Sequence, residues 1–312
     1  MAATLQCPEP SSSGHSSKHV AVVGSGITGL AAAWLLEEHS PHKVTLFESD
    51  ARLGGHAHTV DYQPPPAAAH TLGAPASPSQ LQSCPVDTGF IVYNHVTYPN
   101  LIRLFAHLKV PVKQSDMSFA LSRDHGAFEW SGTSLATVFC QPQNLLRWRF
   151  WRMLYDIVRF DWEFTRFATD PTVTISEQQQ GIGAWLAERD YSTGFIEDYL
   201  MPVTASVWST PADMCAADFP AWTLARFLHN HRMLQLVGRP CWMTVADGSR
   251  EYVKRIEARL KDARKSTGII SVRRTENDKV CITDVHGQEH MFDHVILACH
   301  ADQALRLLGT AE

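Results

Sequence analysis

The residues with the clearest chemical meaning are Gly24-Ser25-Gly26-Ile27-Thr28-Gly29, a G-x-G-x-x-G spacing near the start of the chain. Such glycines are informative only where a buried strand precedes them and a helix follows. Here His19 to Val23 is a short apolar, β-branched run, as expected of a buried parallel strand. Ile27 to His39 then reads as a helix with Leu30, Ala31, Trp34 and Leu35 on one stripe, and Lys43 to Phe47 as a second strand. In a βαβ unit of this kind Gly24 permits the tight turn. Gly26 removes a side chain where a pyrophosphate approaches, and Gly29 lets helix and strand pack closely. Ser25 and Ile27 lie in the same turn, where phosphates meet free N–H groups and the positive end of the helix dipole. Glu48, at the end of the second strand, can accept hydrogen bonds from a ribose diol. The competing reading makes Glu48 a solvated strand-end charge.

Arg52-Leu53-Gly54-Gly55 follows almost at once. Paired glycines let the backbone curl against a cofactor, and Arg52 can offer a forked donor to phosphate oxygens. This Glu-x3-Arg-x-Gly-Gly arrangement, with the glycine turn before it, resembles the flavin-containing amine oxidase superfamily. Within it, a branch of FAD/NAD-binding proteins found alone or fused to cyclopropane-fatty-acid synthases is similar in further stretches. These are Arg52 to Val60, Val86 to Asn94, Tyr98 to Leu101, Val207-Trp208-Ser209, Phe227 to Leu234, Gly248 to Val253 and Val295 to His300. The resemblance implies FAD as cofactor and a Rossmann-like α/β lobe of the amine-oxidase type with an inserted, mostly helical substrate lobe. It also implies that Asp87-Thr88-Gly89-Phe90 approaches the flavin ring, Gly89 giving backbone room, and that the strand near Ile269 flanks the adenine. His56, just after the twin glycines, stands where related enzymes often carry a cofactor-contacting residue. Two departures stand out. Asp247 precedes Gly248 where the family usually has Gly-Gly, and family members continue well past the position of Glu312. The second leads us to expect a shortened chain.

Other chemistry is sparse. No Gly-x-Ser-x-Gly elbow and no His-Glu-x-x-His occurs. The sixteen histidines include His56 and His58, read as sharing a strand face, and His229 and His231 flanking Asn230. Two histidines without matched carboxylates do not make a metal site, so none is expected. Asn230 and His231 are candidates for lining a substrate pocket, against a reading in which they cap or hydrogen-bond within the core. Arg147 to Phe167 is dense in Trp, Arg and Phe. It fits a membrane-surface helix, or, as the better reading, a core helix whose aromatics fill the lobe while arginines snorkel outward.

The elements that must position these groups fall into three stretches. Residues 1–17 read as a disordered leader. Residues 18–94 and 240–312 read as the FAD-binding lobe, interrupted by a Pro/Ala/Ser-rich loop at 63–82, and 95–239 as the helical substrate lobe. After 240, a helix near Ser249 to Ala263 leads to strand-like runs at 269–273, 280–285 and 294–298. The chain of 312 residues is 45% hydrophobic and carries a net charge of −5 without a basic face, which argues against a nucleic-acid partner. Its seven cysteines show no metal-ligand spacing and read as buried free thiols. No secretory signal and no run of about 18 apolar residues is present, so a cytoplasmic protein is expected. The whole reads as an FAD-dependent oxidoreductase moving hydride from a small or lipid-like substrate to flavin N5. The alternatives are a catalytically silent dinucleotide-binding protein, or a lipid desaturase or isomerase using the same flavin. A nicotinamide-dependent dehydrogenase has no evident use for Arg52-x-Gly-Gly.

Overall fold

In the computed structural model the described residues are 16–63, 83–208, 219–235 and 238–309. The expected leader and the 63–82 loop therefore lie almost entirely outside them, as does Ser209. The chain forms two compact units. The first comprises residues up to Tyr93, Asn100–Gln114 and Met243 onward; the second comprises Asn94–Pro99 and Ser115–Trp242. Six helices carry the argument: α1 Ile27–His39, α2 Pro99–His107, α3 Trp148–Thr169, α4 Ala221–Asn230, α5 Arg250–Glu257 and α6 Ala301–Leu307. The sequence reading gave all of 95–239 to the helical lobe. Residues 100–114 belong instead to the α/β unit, because α2 buries Phe105 against Tyr93 and Tyr252, with both ring centroids 5.3 Å away. Leu108 and Val110 follow it into that core.

The first unit is built on a parallel sheet. Its strands are β1 His19–Val23, β2 Lys43–Phe47, β5 Ala263–Arg264 and β9 His294–Leu297, in the order β5-β2-β1-β9, with β3 His58–Tyr62 and β4 Cys84–Gly89 forming a separate antiparallel pair. Val20 to Val23 are buried, as a strand covered on both faces requires. On α1 the buried stripe is Gly29, Leu30, Ala33 and Trp34; Leu35, expected on it, is exposed because it lies a further 100° around the helix. A second sheet, β6 Ile269–Arg274, β7 Val280–Asp284 and β8 Glu289–Phe292, is antiparallel. Its Val272, Ile282 and Phe292 pack on Ala21 and Phe47. Each such fully buried side chain contributes roughly 1.5–3 kcal/mol.

The second unit is mostly helical and organised by α3. Phe150, Met153, Ile157, Phe160 and Phe164 form its buried face and pack with Trp185, Phe195, Leu224 and Leu228. One shoulder is ionic: Arg149 bonds Asp198 and Glu197, Arg152 bonds Asp156, and Arg159 bonds Glu163 at 2.8 Å. Asp198 and Asp156 are fully buried, so the arginines pair charges that would otherwise be costly there. The opposite face is a stripe of Trp148, Trp151, Tyr155, Val158 and Trp162, all exposed. The aromatics thus divide, phenylalanines inward and tryptophans outward, which corrects the reading of the whole aromatic set as core. Among the described residues no helix is long and apolar enough to cross a membrane.

Candidate dinucleotide-binding site

The turn after β1 is made by what its glycines lack. Gly24 adopts φ +98°, and a Cβ there would stand 2.8 Å from the Ala298 carbonyl oxygen. A Cβ on Gly29 would lie 1.8 Å from the Gly24 carbonyl oxygen. No real side chain survives that distance, so helix α1 can start here only on glycine. Gly26 is different. It is the N-cap of α1, and a Cβ on it would meet no heavy atom within 4 Å. No side chain caps the helix, so the first-turn amides, that of Ile27 among them, have no side-chain acceptor. Open space beside uncapped helix amides is an arrangement that suits an anion.

Glu48 is almost fully buried and turned toward this turn. One of its oxygens accepts from the Ser25 N–H (2.9 Å) and hydroxyl; the other accepts from the Asp50 N–H (2.9 Å) and the Ser49 hydroxyl (3.0 Å). Burial opposes its ionisation. The Asp50 and Ser25 donors, with Ser49, more than offset that and hold the carboxyl below its ordinary range. The solvated-charge reading is thereby excluded. Glu48 also does something the sequence reading did not foresee: it clamps the glycine turn to the end of β2. Since a carboxylate has about four lone-pair sites, Glu48 has room for a further donor only where a rotatable one such as the Ser49 hydroxyl gives way.

The Arg52–Ala57 loop folds over the same turn. The Gly54 N–H donates to the Ser25 carbonyl at 3.0 Å, and a Cβ on Gly55 would stand 3.0 Å from the Gly26 Cα. Arg52 does not present a free fork. Its guanidinium donates to the Gly55 (2.8 Å) and Ala57 (3.3 Å) carbonyls and braces the loop. His56 is exposed in a turn, its ring stacked 5.6 Å from that of His300, and not on a strand face with His58, which begins β3. Gly89 ends β4 opposite His58; a Cβ there would come 2.5 Å from the His56 carbonyl oxygen. The next residue, Phe90, is held at φ +52°, uncommon for an aromatic. Ile269 starts β6, half-buried against the Phe47 cluster, just after Thr267, whose N–H donates to the Glu48 carbonyl at 2.7 Å.

Sequence reasoning missed a second clamp. Asp87 accepts from the Ser249 N–H (2.9 Å), the Ser249 hydroxyl (2.8 Å) and the Thr59 hydroxyl (2.6 Å), fastening the start of α5 to the β3–β4 pair. Asp247, the departure from Gly-Gly, sits at φ +64°, which explains why glycine suits that position.

The two remaining candidates are in the helical unit. His231 follows the end of α4 and bonds back to the Phe227 carbonyl at 2.9 Å, while Asn230 is exposed. Neither lines the apolar cavity of that unit. The structure also groups Glu38, His39 and His107, which no spacing had suggested; all are exposed, and Glu38 is already bonded to Arg259 at 2.9 Å.

The donor set of the first unit fits FAD: uncapped amides for the diphosphate, a space that a Cβ on Gly26 would invade, and an ionised Glu48 for the sugar. Comparison with known proteins points the same way. Over 65 residues the chain is 42% identical to tryptophan 2-monooxygenase of Allorhizobium ampelinum, covering 21% of this chain and 9% of that protein. Over 45 residues it is 44% identical to an L-amino-acid oxidase of Siganus canaliculatus, covering 14% and 8%. Among solved structures it resembles putrescine oxidase bound to putrescine, with TM-score 0.64, 14% identity and 94% of this chain on 60% of that one. It also resembles a CLA-producing fatty acid isomerase from P. acnes, with TM-score 0.58, 16% identity and 93% on 61%. The chain spans under a tenth of those two curated relatives and about three fifths of those structures. The family model for flavin containing amine oxidoreductases matches residues 27–310, and the chain belongs to that family.

Proposed function

We propose that this chain is an FAD-dependent oxidoreductase that withdraws hydride from a small or lipid-like substrate. The observation that carries the reading is the uncapped start of α1 facing open space at Gly26, with Glu48 beside it. When bound, FAD would supply a two-electron acceptor for hydride from a substrate C–H. The chain's own residues do the rest. The amides of residues 26–29 hold the diphosphate, and the helix dipole favours its negative charge. Glu48, kept ionised by its donors, accepts a sugar hydroxyl once the Ser49 hydroxyl swings away. Gly55 against Gly26 and the Arg52 brace fix the loop that closes over the turn, and the Ser25–Glu48 clamp keeps the turn from relaxing when empty.

The relatives' names divide on substrate. Putrescine oxidase takes an amine and the isomerase a fatty acid, so family membership alone does not choose between them.

Flavin content tests the reading. The purified 312-residue chain is expected to be yellow, or to turn yellow on titration with FAD, and to bind NADH more weakly. Glu48→Gln should weaken FAD by roughly 10- to 100-fold, the loss of a charged hydrogen-bond acceptor. A colourless chain that takes up no FAD contradicts it.

A further inference from the structure

The helical unit encloses a cavity of about 390 Å³. Its walls are Phe119 and Trp130 beside and on the Ala120–Arg123 and Phe128–Ser131 hairpin, Ile157 and Val158 on α3, and Val203 and Val207 on the helix Met201–Trp208. Tyr199 lines it from Ile196–Leu200, where the helix loosens to π-type bonding, a feature frequent at functional sites. Nearly all of this lining is carbon. The exceptions that carry charge are Arg232 and Arg239, both exposed, so the cavity has an apolar interior and a cationic rim. Arg239 spends one N–H on the Gln235 carbonyl at 2.6 Å, and neither arginine has an ion-pair partner among the described residues. Another concavity of the unit, about 810 Å³, is lined by Glu163, Asp170, Glu177 and Glu188 with Arg166 and Arg189, and has no such division.

An apolar pocket of a few hundred cubic ångströms with a small number of placed polar groups is the usual form of a small-molecule site. Its chemistry here selects an amphiphile. Val158 and Leu135 belong both to the cavity lining and to the exposed apolar surface, so the cavity opens beside the Trp148–Trp162 stripe. Guanidinium groups match a carboxylate by geometry as well as charge and repel an ammonium.

We propose that the helical unit binds a long-chain acyl carboxylate, its hydrocarbon tail in the cavity and its carboxylate at Arg232 and Arg239. This builds on the oxidoreductase reading by naming the substrate class. Asp161 supports it. Burial pushes that carboxyl up to about 7 against the opposing charge of Arg239, so Asp161 is a weak competitor for that guanidinium.

Calorimetric titration of the full chain with dodecanoate, decanoate, dodecanol and dodecylamine tests the proposal, with FAD uptake measured separately on every sample. Dodecanoate is expected to bind at one site with micromolar affinity. Decanoate should bind roughly tenfold more weakly, the cost of two methylenes, and dodecylamine more than tenfold more weakly. The double variant Arg232→Gln/Arg239→Gln should lose the preference for dodecanoate over dodecanol. Val203→Trp, or Val207→Trp should the first impair folding, should abolish binding of all four with FAD uptake unchanged. Dodecylamine binding as tightly as dodecanoate, tryptophan variants that still bind dodecanoate, or no binding of any amphiphile would each overturn it. Because FAD uptake is read independently, failure here leaves the flavin reading standing, and loss of FAD uptake alone does not touch the acyl site.

Discussion

The turn after β1 and helix α3 reach order by opposite routes. At residues 24–29 side chains are removed until main-chain amides point into open space, and the turn is then held by one carboxylate, Glu48. On α3 the helix is filled on every side: phenylalanines inward, ion pairs on one shoulder, tryptophans outward. A site for a phosphate needs donors without competitors, so glycine is the working residue. A unit that stands on its own packing needs volume and paired charge. The difference predicts that the first region tolerates no added atoms at some positions, whereas the second tolerates no lost ones.

The largest expected effect breaks the first half of that contrast. Gly29→Ala puts a methyl 1.8 Å from the Gly24 carbonyl oxygen. It should cost more than about 4 kcal/mol in chemical denaturation, in the range kept for disrupted cores and strained backbones, and remove FAD binding with it. Phe160→Ala probes the second half. Deleting a fully buried ring from the α3 core should cost roughly 3–5 kcal/mol and leave FAD affinity within twofold.

Asp161 gives a smaller effect with a pH signature. Its folded pKa, about 7, lies above the ordinary 3.8, so folding is favoured at low pH and that contribution is lost as pH rises from about 4 to about 7. Asp161→Asn should therefore stabilise the protein relative to the parent at pH 8 by roughly 4 kcal/mol and change nothing at pH 3, since each pKa unit corresponds to about 1.4 kcal/mol. A pH-independent difference between the two in urea melts would contradict it. The smallest expected change is a gain: Asp247→Gly, at φ +64°, should add about 0.5–1 kcal/mol by relieving a left-handed backbone that Asp tolerates only partly.

The strand–turn–helix at 19–47 was legible because local rules set it: β-branched residues, then three glycines, then a helical stripe. Its observed limits are the expected ones. Glu48 was found by spacing along the chain. Its four donors were not: two are hydroxyls, whose orientation has no sequence signal, and two are main-chain amides aimed by the folded turn. Contacts between distant positions were invisible: His56 on His300, Asp87 on Ser249, and Phe105 against Tyr252, which returned residues 100–114 to the α/β unit. Helix α3 was misjudged for another reason. Tryptophan and phenylalanine were counted as one aromatic class, although at 100° per residue Trp148, Trp151 and Trp162 fall opposite Phe150, Phe160 and Phe164. The pocket candidates Asn230 and His231 were chosen for their chemistry alone, and the fold places His231 in a bond to its own helix.

One substitution separates the cofactor site from the fold it stands on. Gly26→Ala adds a methyl where no atom lies within 4 Å, so the chain itself has room for it and only a diphosphate at the start of α1 does not. FAD titration of parent and variant, alongside urea melts, should show stability changed by no more than about 1 kcal/mol, the range of an N-cap substitution, and FAD affinity reduced at least tenfold. A variant that binds FAD as tightly as its parent would mean that the cofactor, if held at all, is held somewhere other than the glycine turn.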